Sequence, residues 1–211
     1  MSSRRQRNPA SEAGPKLYFD PQFGCAAVKI LPGEYYASGR DMVIVTTLGS
    51  CVSACLWDDT RKVGGMNHFM LPQSGASGYD LHAESGRYGV FAMELLINQL
   101  IKMGAQKSRI KAKVFGAGNV LKDLVSSNVG ERNAEFVARF LATERIPILA
   151  CDLLDVWPRK VYMFPATGRV LVRKLKTLNN DTIASRESVY RQQMVTLRAE
   201  KAASNDIELF V

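Results

Sequence analysis

Hydrophobic and polar positions change period along this chain, and the changes mark its elements. Residues 1–16, MSSRRQRNPASEAGPK, show no period and predict a disordered N-terminal tail. CAAVKILP (25–32) predicts a first short strand. DMVIVTTLG (41–49) predicts a second, apolar and β-branched, ending in a glycine turn. CVSACLW (51–57) and VGGMNHFML (63–71) predict two strands around a polar connection, and PQSGASGYDLHAESG (72–86) a loop rich in Gly and Ser. The period then becomes helical. Val90, Met93, Leu96, Ile97, Leu100 and Ile101 fall on one side of RYGVFAMELLINQLIKMGA, which Gly104 stops. RIKAKVFGAG (109–118) alternates as a strand. NVGERNAEFVARFLATERI (128–146) predicts a second helix with Phe136, Val137, Phe140 and Leu141 together. PILACDLL (147–154) predicts a strand, and KVYMFPATGRVLVRKL (160–175) a hairpin around PATG. Residues 183–203 could form a polar helix, and no internal repeat is visible.

Strands early and late with two main helices between them predict an α+β fold of packed layers rather than a doubly wound parallel sheet. Three regions follow: a disordered tail over 1–16, one domain over 17–175, and a C-terminal tail over 176–211 with helix-forming potential. A length of 211 residues suits one sizeable core.

Composition changes this picture little. Apolar residues make up 46% and charged residues 23%, ordinary for a globular protein. No run approaches the ~18–20 apolar residues of a membrane span, so no membrane insertion is expected. The N-terminus lacks the apolar segment of a secretory signal, which predicts a cytoplasmic location and free thiols at Cys25, Cys51, Cys55 and Cys151. The net charge of +8 is spread unevenly: +3 lies in residues 1–16 and +2 in 173–211, leaving +3 for the middle. A basic domain face is not supported, and no nucleic-acid partner is expected.

The candidate chemistry lies in LGSCVSACLWDDTRKVGGMNHFML (48–71). A two-residue turn at Asp59-Thr60 would set Cys51 opposite His68 and Cys55 opposite Gly64, with opposed Cβ atoms ~4.5–5.5 Å apart. A bulge at Gly64-Gly65 would shift that register. Cys51 follows a Gly49-Ser50 turn whose N–H groups can hold an oxyanion, and a nearby His can take the thiol proton. On this reading the Cys51 thiol pKa falls below the usual ~8.5, whereas burial without a partner raises it. The plain alternative is core filler, which is how Cys25, Cys55 and Cys151 read. A metal set of Cys51, Cys55, His68 and His82 is disfavoured, because Cys51 and Cys55 on one strand lie about 13 Å apart at ~3.3 Å per residue.

LGSCVSACLWD, GGMNHFMLP, RYGVFAMELLINQLIKMGA, VFGAGN, VGERNAEFVARFLATERIPILACDL and RKVYMFPATGRVLV together resemble the chemoreceptor glutamine deamidases, the CheD family, from about residue 24 to 172. The resemblance implies a layered α/β/β sandwich similar to bacterial toxin deamidases. It implies hydrolysis of glutamine side chains to glutamate on methyl-accepting chemotaxis receptors, with Cys51 as nucleophile and His68 as base. It further implies a threonine that orients the histidine, Thr46 or Thr47, with Thr46 preferred. Neither metal nor organic cofactor is needed for such chemistry. A chemotaxis phosphatase of the CheC type is an implied partner in some lineages, and an adaptor with weak or no catalysis is the alternative function. DLLDVWPRK departs from the family in lacking paired glycines after its DL, and the tail after about 175 lies outside the resemblance.

Overall fold

The computed structural model describes residues 15–72, 84–119, 129–176, 183, 185–193 and 196. Residues 73–83 of the predicted 72–86 loop, with His82, fall outside them, as do residues 1–14 and most of the C-terminal tail; Glu84, Ser85 and Gly86, expected in that loop, are already helical. Among the described residues, ten strands form two five-stranded sheets. The first sheet has the order β1 (Leu17–Asp20), β2 (Cys25–Lys29), β4 (Met42–Leu48), β9 (Arg159–Phe164), β10 (Arg169–Lys174). The second has the order β3 (Tyr35–Ser38), β6 (Val63–Asn67), β5 (Val52–Asp58), β7 (Lys111–Gly116), β8 (Ile148–Leu153). Pairing is parallel at β2–β4 and β7–β8 and antiparallel elsewhere. Two long helices, α1 (Glu84–Lys102) and α2 (Val129–Thr143), cover the second sheet. The result is the expected α+β sandwich of three layers.

Strand alternation sorts β5 between two cores. Val52, Ala54 and Leu56 face the helices and meet Met93, Leu96 and Leu100 of α1 and Phe136 and Val137 of α2. Cys55 and Trp57 face the other way, into a core between the sheets, with Ile44, Leu48, Val161 and Met163. Each fully buried Met or Leu of α1 contributes about 1.5–3 kcal/mol relative to exposure, so the spacing that predicts this helix also anchors it.

Two short strands lie outside the sequence expectation. β1 is an edge hairpin arm whose first three residues are exposed, and β3 has only four residues between turn-forming stretches. Neither carries a full alternation.

The hairpin register also differs. Asp58 pairs with Val63 and Cys55 with Met66, so the turn has four residues, Asp59 to Lys62, and Gly64-Gly65 lie in regular strand. Asp58 causes this. Its Oδ1 accepts from the N–H groups of Thr60 (2.9 Å) and Arg61 (3.1 Å), and the Lys62 N–H returns to the Asp58 carbonyl (2.9 Å) with Lys62 at φ +58°. Pairing therefore slides by two residues, and a bridge from Val52 to Phe69 extends it, so Cys51 and His68 are not directly opposed. A two-residue slide preserves the face, whereas a one-residue slide would not. Cys51 and His68 thus remain on one side as diagonal neighbours.

Candidate active site

The turn from Gly49 to Cys51 carries the chain out of β4, in one sheet, into β5, in the other. Its three carbonyls are all held. The N–H of Gly118 donates to Gly49 (2.7 Å) and that of Ala117 to Cys51 (2.6 Å), both from the end of β7. Asn133 Nδ2, from α2, donates to the Ser50 carbonyl (2.8 Å), while Asn133 Oδ1 accepts from the Leu71 N–H (2.9 Å). The close approach requires Gly116, which has φ +106° and where a Cβ would lie 2.3 Å from the Cys51 carbonyl oxygen. With the carbonyls fixed, the three N–H groups converge elsewhere, and they converge on one carboxylate. Gly49 and Cys51 donate to Glu187 Oε1 at 2.9 and 3.1 Å. The Ser50 N–H and hydroxyl donate to Oε2 at 2.9 and 2.6 Å. Such a nest of backbone donors is an anion site.

His68 follows β6 and is held by its own backbone, its N–H on the Glu34 carbonyl (2.9 Å) and its carbonyl under the Gly33 N–H (2.8 Å). Its Nδ1 lies 2.7 Å from Thr46 Oγ1. The Thr46 hydroxyl has one proton, and it donates that proton to the Ile30 carbonyl at 2.9 Å. Thr46 must therefore accept from His68, which places the ring proton on Nδ1 and leaves Nε2 with a bare lone pair. Nε2 is buried and has no hydrogen-bond partner among the described residues. A ring nitrogen of His68, the Cys51 sulfur and a Glu187 carboxylate oxygen lie within 4.8 Å of one another. Thr47 pairs with Lys160 in the sheet; the hydroxyl on the ring is Thr46's.

Cys51 is wholly buried, and burial pushes its thiol well above the usual range; the Glu187 carboxylate, charged and hydrogen-bonded to it, adds to the rise, and Arg191 opposes it. Burial lowers His68 to about 4, against a raising pull from Glu187. The pair is therefore a neutral thiol beside a neutral imidazole. The expectation of a depressed Cys51 pKa fails in this arrangement, because desolvation and a neighbouring anion outweigh any partner. Burial likewise holds Cys55 up at about 12, and its cross-strand partner is Met66 rather than Gly64. Cys25 is half-buried and Cys151 exposed, so neither Cys151 nor Cys25 is filler of the deep core.

Cys51, His68 and Glu187 have donor atoms that could surround a metal ion. However, each Glu187 oxygen already accepts two hydrogen bonds, which uses the in-plane lone pairs of a carboxylate. These three residues fit an occupied anion nest better than a metal site. Cys55 is not among them, and His82 lies outside the described residues.

Sequence reasoning missed Asn133, Ala117, Gly118 and Glu187. Asn133 could have been found, since it is the polar position on an otherwise apolar face of α2 with Val129, Phe136, Val137 and Phe140. Glu187 offered no such signal.

The family model described as CheD chemotactic sensory transduction matches residues 70–174. "Probable chemoreceptor glutamine deamidase CheD 1" of Shewanella oneidensis is 55% identical over 196 residues, 93% of this chain and 93% of that one. "Probable chemoreceptor glutamine deamidase CheD" of Methylobacillus flagellatus is 53% identical over 205 residues, 96% of this chain and 99% of that one. No helix among the described residues is long and apolar enough to cross a membrane.

Proposed function

Because the chain belongs to the CheD family, we propose that it is a chemoreceptor glutamine deamidase working by a Cys51 thioester, with chemotaxis receptors as substrates in the cytoplasm. One observation carries the mechanism: three backbone N–H groups around Cys51 converge on a carboxyl group, a ring nitrogen of His68 lies within 4.8 Å of it, and Nε2 of that ring is buried without a partner among the described residues.

In this mechanism the receptor carboxamide enters the nest with its oxygen toward the Gly49 and Cys51 N–H groups. The Cys51 sulfur attacks the carboxamide carbon as its proton passes to His68 Nε2. The nest holds the charge that develops on oxygen. His68, now positive, gives its proton to the nitrogen, which leaves as ammonia. Water loses a proton to Nε2, attacks the thioester and releases glutamate and the thiol. Thr46 takes no proton; it keeps the ring turned with Nε2 toward the sulfur. A phosphatase of the CheC type would be a partner bound outside this chemistry.

The test is co-expression with chemoreceptors and mass spectrometry of their glutamines. Wild type should add about 1 Da at particular glutamines, whereas Cys51→Ser and His68→Ala should add none, since a serine hydroxyl is a far poorer nucleophile than a thiol and the buried thiol without His68 has no base to take its proton. Receptors that gain this mass equally with Cys51→Ser would end the thioester reading.

A further inference from the structure

We propose that Glu187 is a product mimic held in cis: its carboxylate occupies the nest meant for the reacting carboxamide, and residues 185–193 close the site until a substrate displaces them. The proposal rests on the deamidase reading above and adds a regulatory occupant to it.

Glu187 has the chemical form that hydrolysis of a glutamine would leave in the site. Its oxygens take all three backbone donors and the Ser50 hydroxyl, and the Cys51 sulfur lies within 4.8 Å of one of them. The space is cut to fit. A Cβ on Gly49 would lie 2.8–2.9 Å from the Glu187 carboxylate. Glu187 is 2% exposed, yet Ser185, Arg186, Ser188, Val189, Gln192 and Gln193 around it are exposed. The helix turns one side inward: Glu187 is its one fully buried residue among those described, and Ile183, Tyr190 and Arg191 are half-buried a turn to either side. Secondary contacts steady it. Tyr190 lies over Gly33, its hydroxyl hydrogen-bonded to that of Tyr88, and Ile183 and Arg186 lie with Glu187 at a small cavity that reaches His68 and Thr47.

The donor pattern also favours product over substrate. A carboxylate presents acceptors to all four donors. A carboxamide presents one oxygen, and its NH₂ would face the Ser50 N–H, donor against donor. A glutamate on a tether is therefore a stronger occupant than a glutamine on a tether. Its effective concentration is on the order of millimolar, which a receptor segment must overcome by contacts of its own.

A glutamine placed at position 187 should then be an intramolecular substrate. Cys51 would form a C–S bond at its side-chain carbon, the C–N bond would break with loss of ammonia, and water would cleave the thioester to restore Glu187 and the thiol. Four proteins decide the matter: wild type, Glu187→Ala, Glu187→Gln, and Glu187→Gln combined with Cys51→Ser. Iodoacetamide labelling at neutral pH, mapped by peptide, should be at least about tenfold faster at Cys51 in Glu187→Ala than in wild type. Cys55, buried in the inter-sheet core, should stay unlabelled in both and reports general opening. An unchanged Cys51 rate, or Cys51 and Cys55 rising together, overturns the proposal. Glu187→Gln should gain about 1 Da at residue 187, and should not when Cys51 is also replaced by serine. Persistence of the introduced carboxamide in a Glu187→Gln chain still able to deamidate receptors also overturns it. If receptors too are left unmodified by wild type and by Glu187→Ala, it is the deamidase reading that fails, and the Cys51 labelling rates still decide whether Glu187 fills the nest.

Discussion

One hydroxyl proton determines which nitrogen of His68 faces the thiol. Thr46 donates it to the Ile30 carbonyl and so can only accept from Nδ1. Thr46→Val removes both bonds: the ring loses its orienting acceptor and the Ile30 carbonyl loses its donor. Receptor deamidation should fall roughly 10–100-fold, as expected when a general base is no longer held in one tautomer, and stability should fall by about 1–3 kcal/mol. Thr46→Ser keeps the hydroxyl and should restore most of the rate. A valine variant with wild-type kcat and an unshifted pH–rate profile would remove Thr46 from the mechanism. The short-range part of the site was readable in the sequence because Thr46, Cys51 and His68 sit on or beside neighbouring strands close in the chain. Their approach survived a wrong register, since the error was an even number of residues. Glu187 was not readable. It lies in a polar stretch with no apolar stripe, and the separation of 136 positions between it and Cys51 sets no spacing rule.

At the scale of elements, the turn from Gly49 to Cys51 is shaped by what packs beneath it. The end of β7 takes two of its carbonyls, and Asn133 of α2 takes the third while holding the Leu71 N–H. Asn133→Ala leaves a buried carbonyl and a buried N–H unpaired. It should lower stability by about 1–3 kcal/mol and reduce deamidation more than an equal loss of stability elsewhere in α2, for instance at Phe140. Denaturant unfolding beside the activity assay separates the two; equal activity in Asn133→Ala and a stability-matched Phe140 variant would show that the Ser50 carbonyl need not be held. The long elements were legible because each buries a periodic face: α1 and α2 through their helical spacing, β4 and β5 through apolar runs. β1 and β3 were not, having four residues each and too few positions to show a period. The turn after β5 was misread because alternation alone cannot weigh an aspartate whose side chain closes the turn.

Over the whole molecule, two buried titratable groups should give acid unfolding two separate windows. His68 is lowered to about 4 by burial, while in the unfolded chain it titrates near 6.5. Between those values the unfolded chain takes up a proton that the folded chain refuses, so stability drops as pH falls from about 6.5 to about 4. The full loss approaches roughly 3 kcal/mol, at about 1.4 kcal/mol for each pH unit that separates the two values. Glu187, the carboxylate facing His68, opposes this loss by favouring the charged ring, and Arg191 stands on the same side of the site. Asp58 behaves in the opposite sense. Burial would raise its pKa, but hydrogen bonds and charge from Arg109 and the N–H groups of Gln106 and Arg61 hold it at about 2, below the ordinary 3.8. Its stabilisation is complete above about 4 and is lost as pH falls through about 2. Denaturant titrations at several pH values should therefore show His68→Gln flattening the slope between pH 6.5 and 4 while leaving the lower window in place. Asp58→Asn should do the reverse, at a cost of about 2–3 kcal/mol near neutral pH where Arg109 loses its partner. If His68→Gln keeps the wild-type slope between pH 6.5 and 4, the imidazole is not held neutral in the fold. The proton transfer from Cys51 to Nε2 would then start from a charged ring that has no lone pair to receive it.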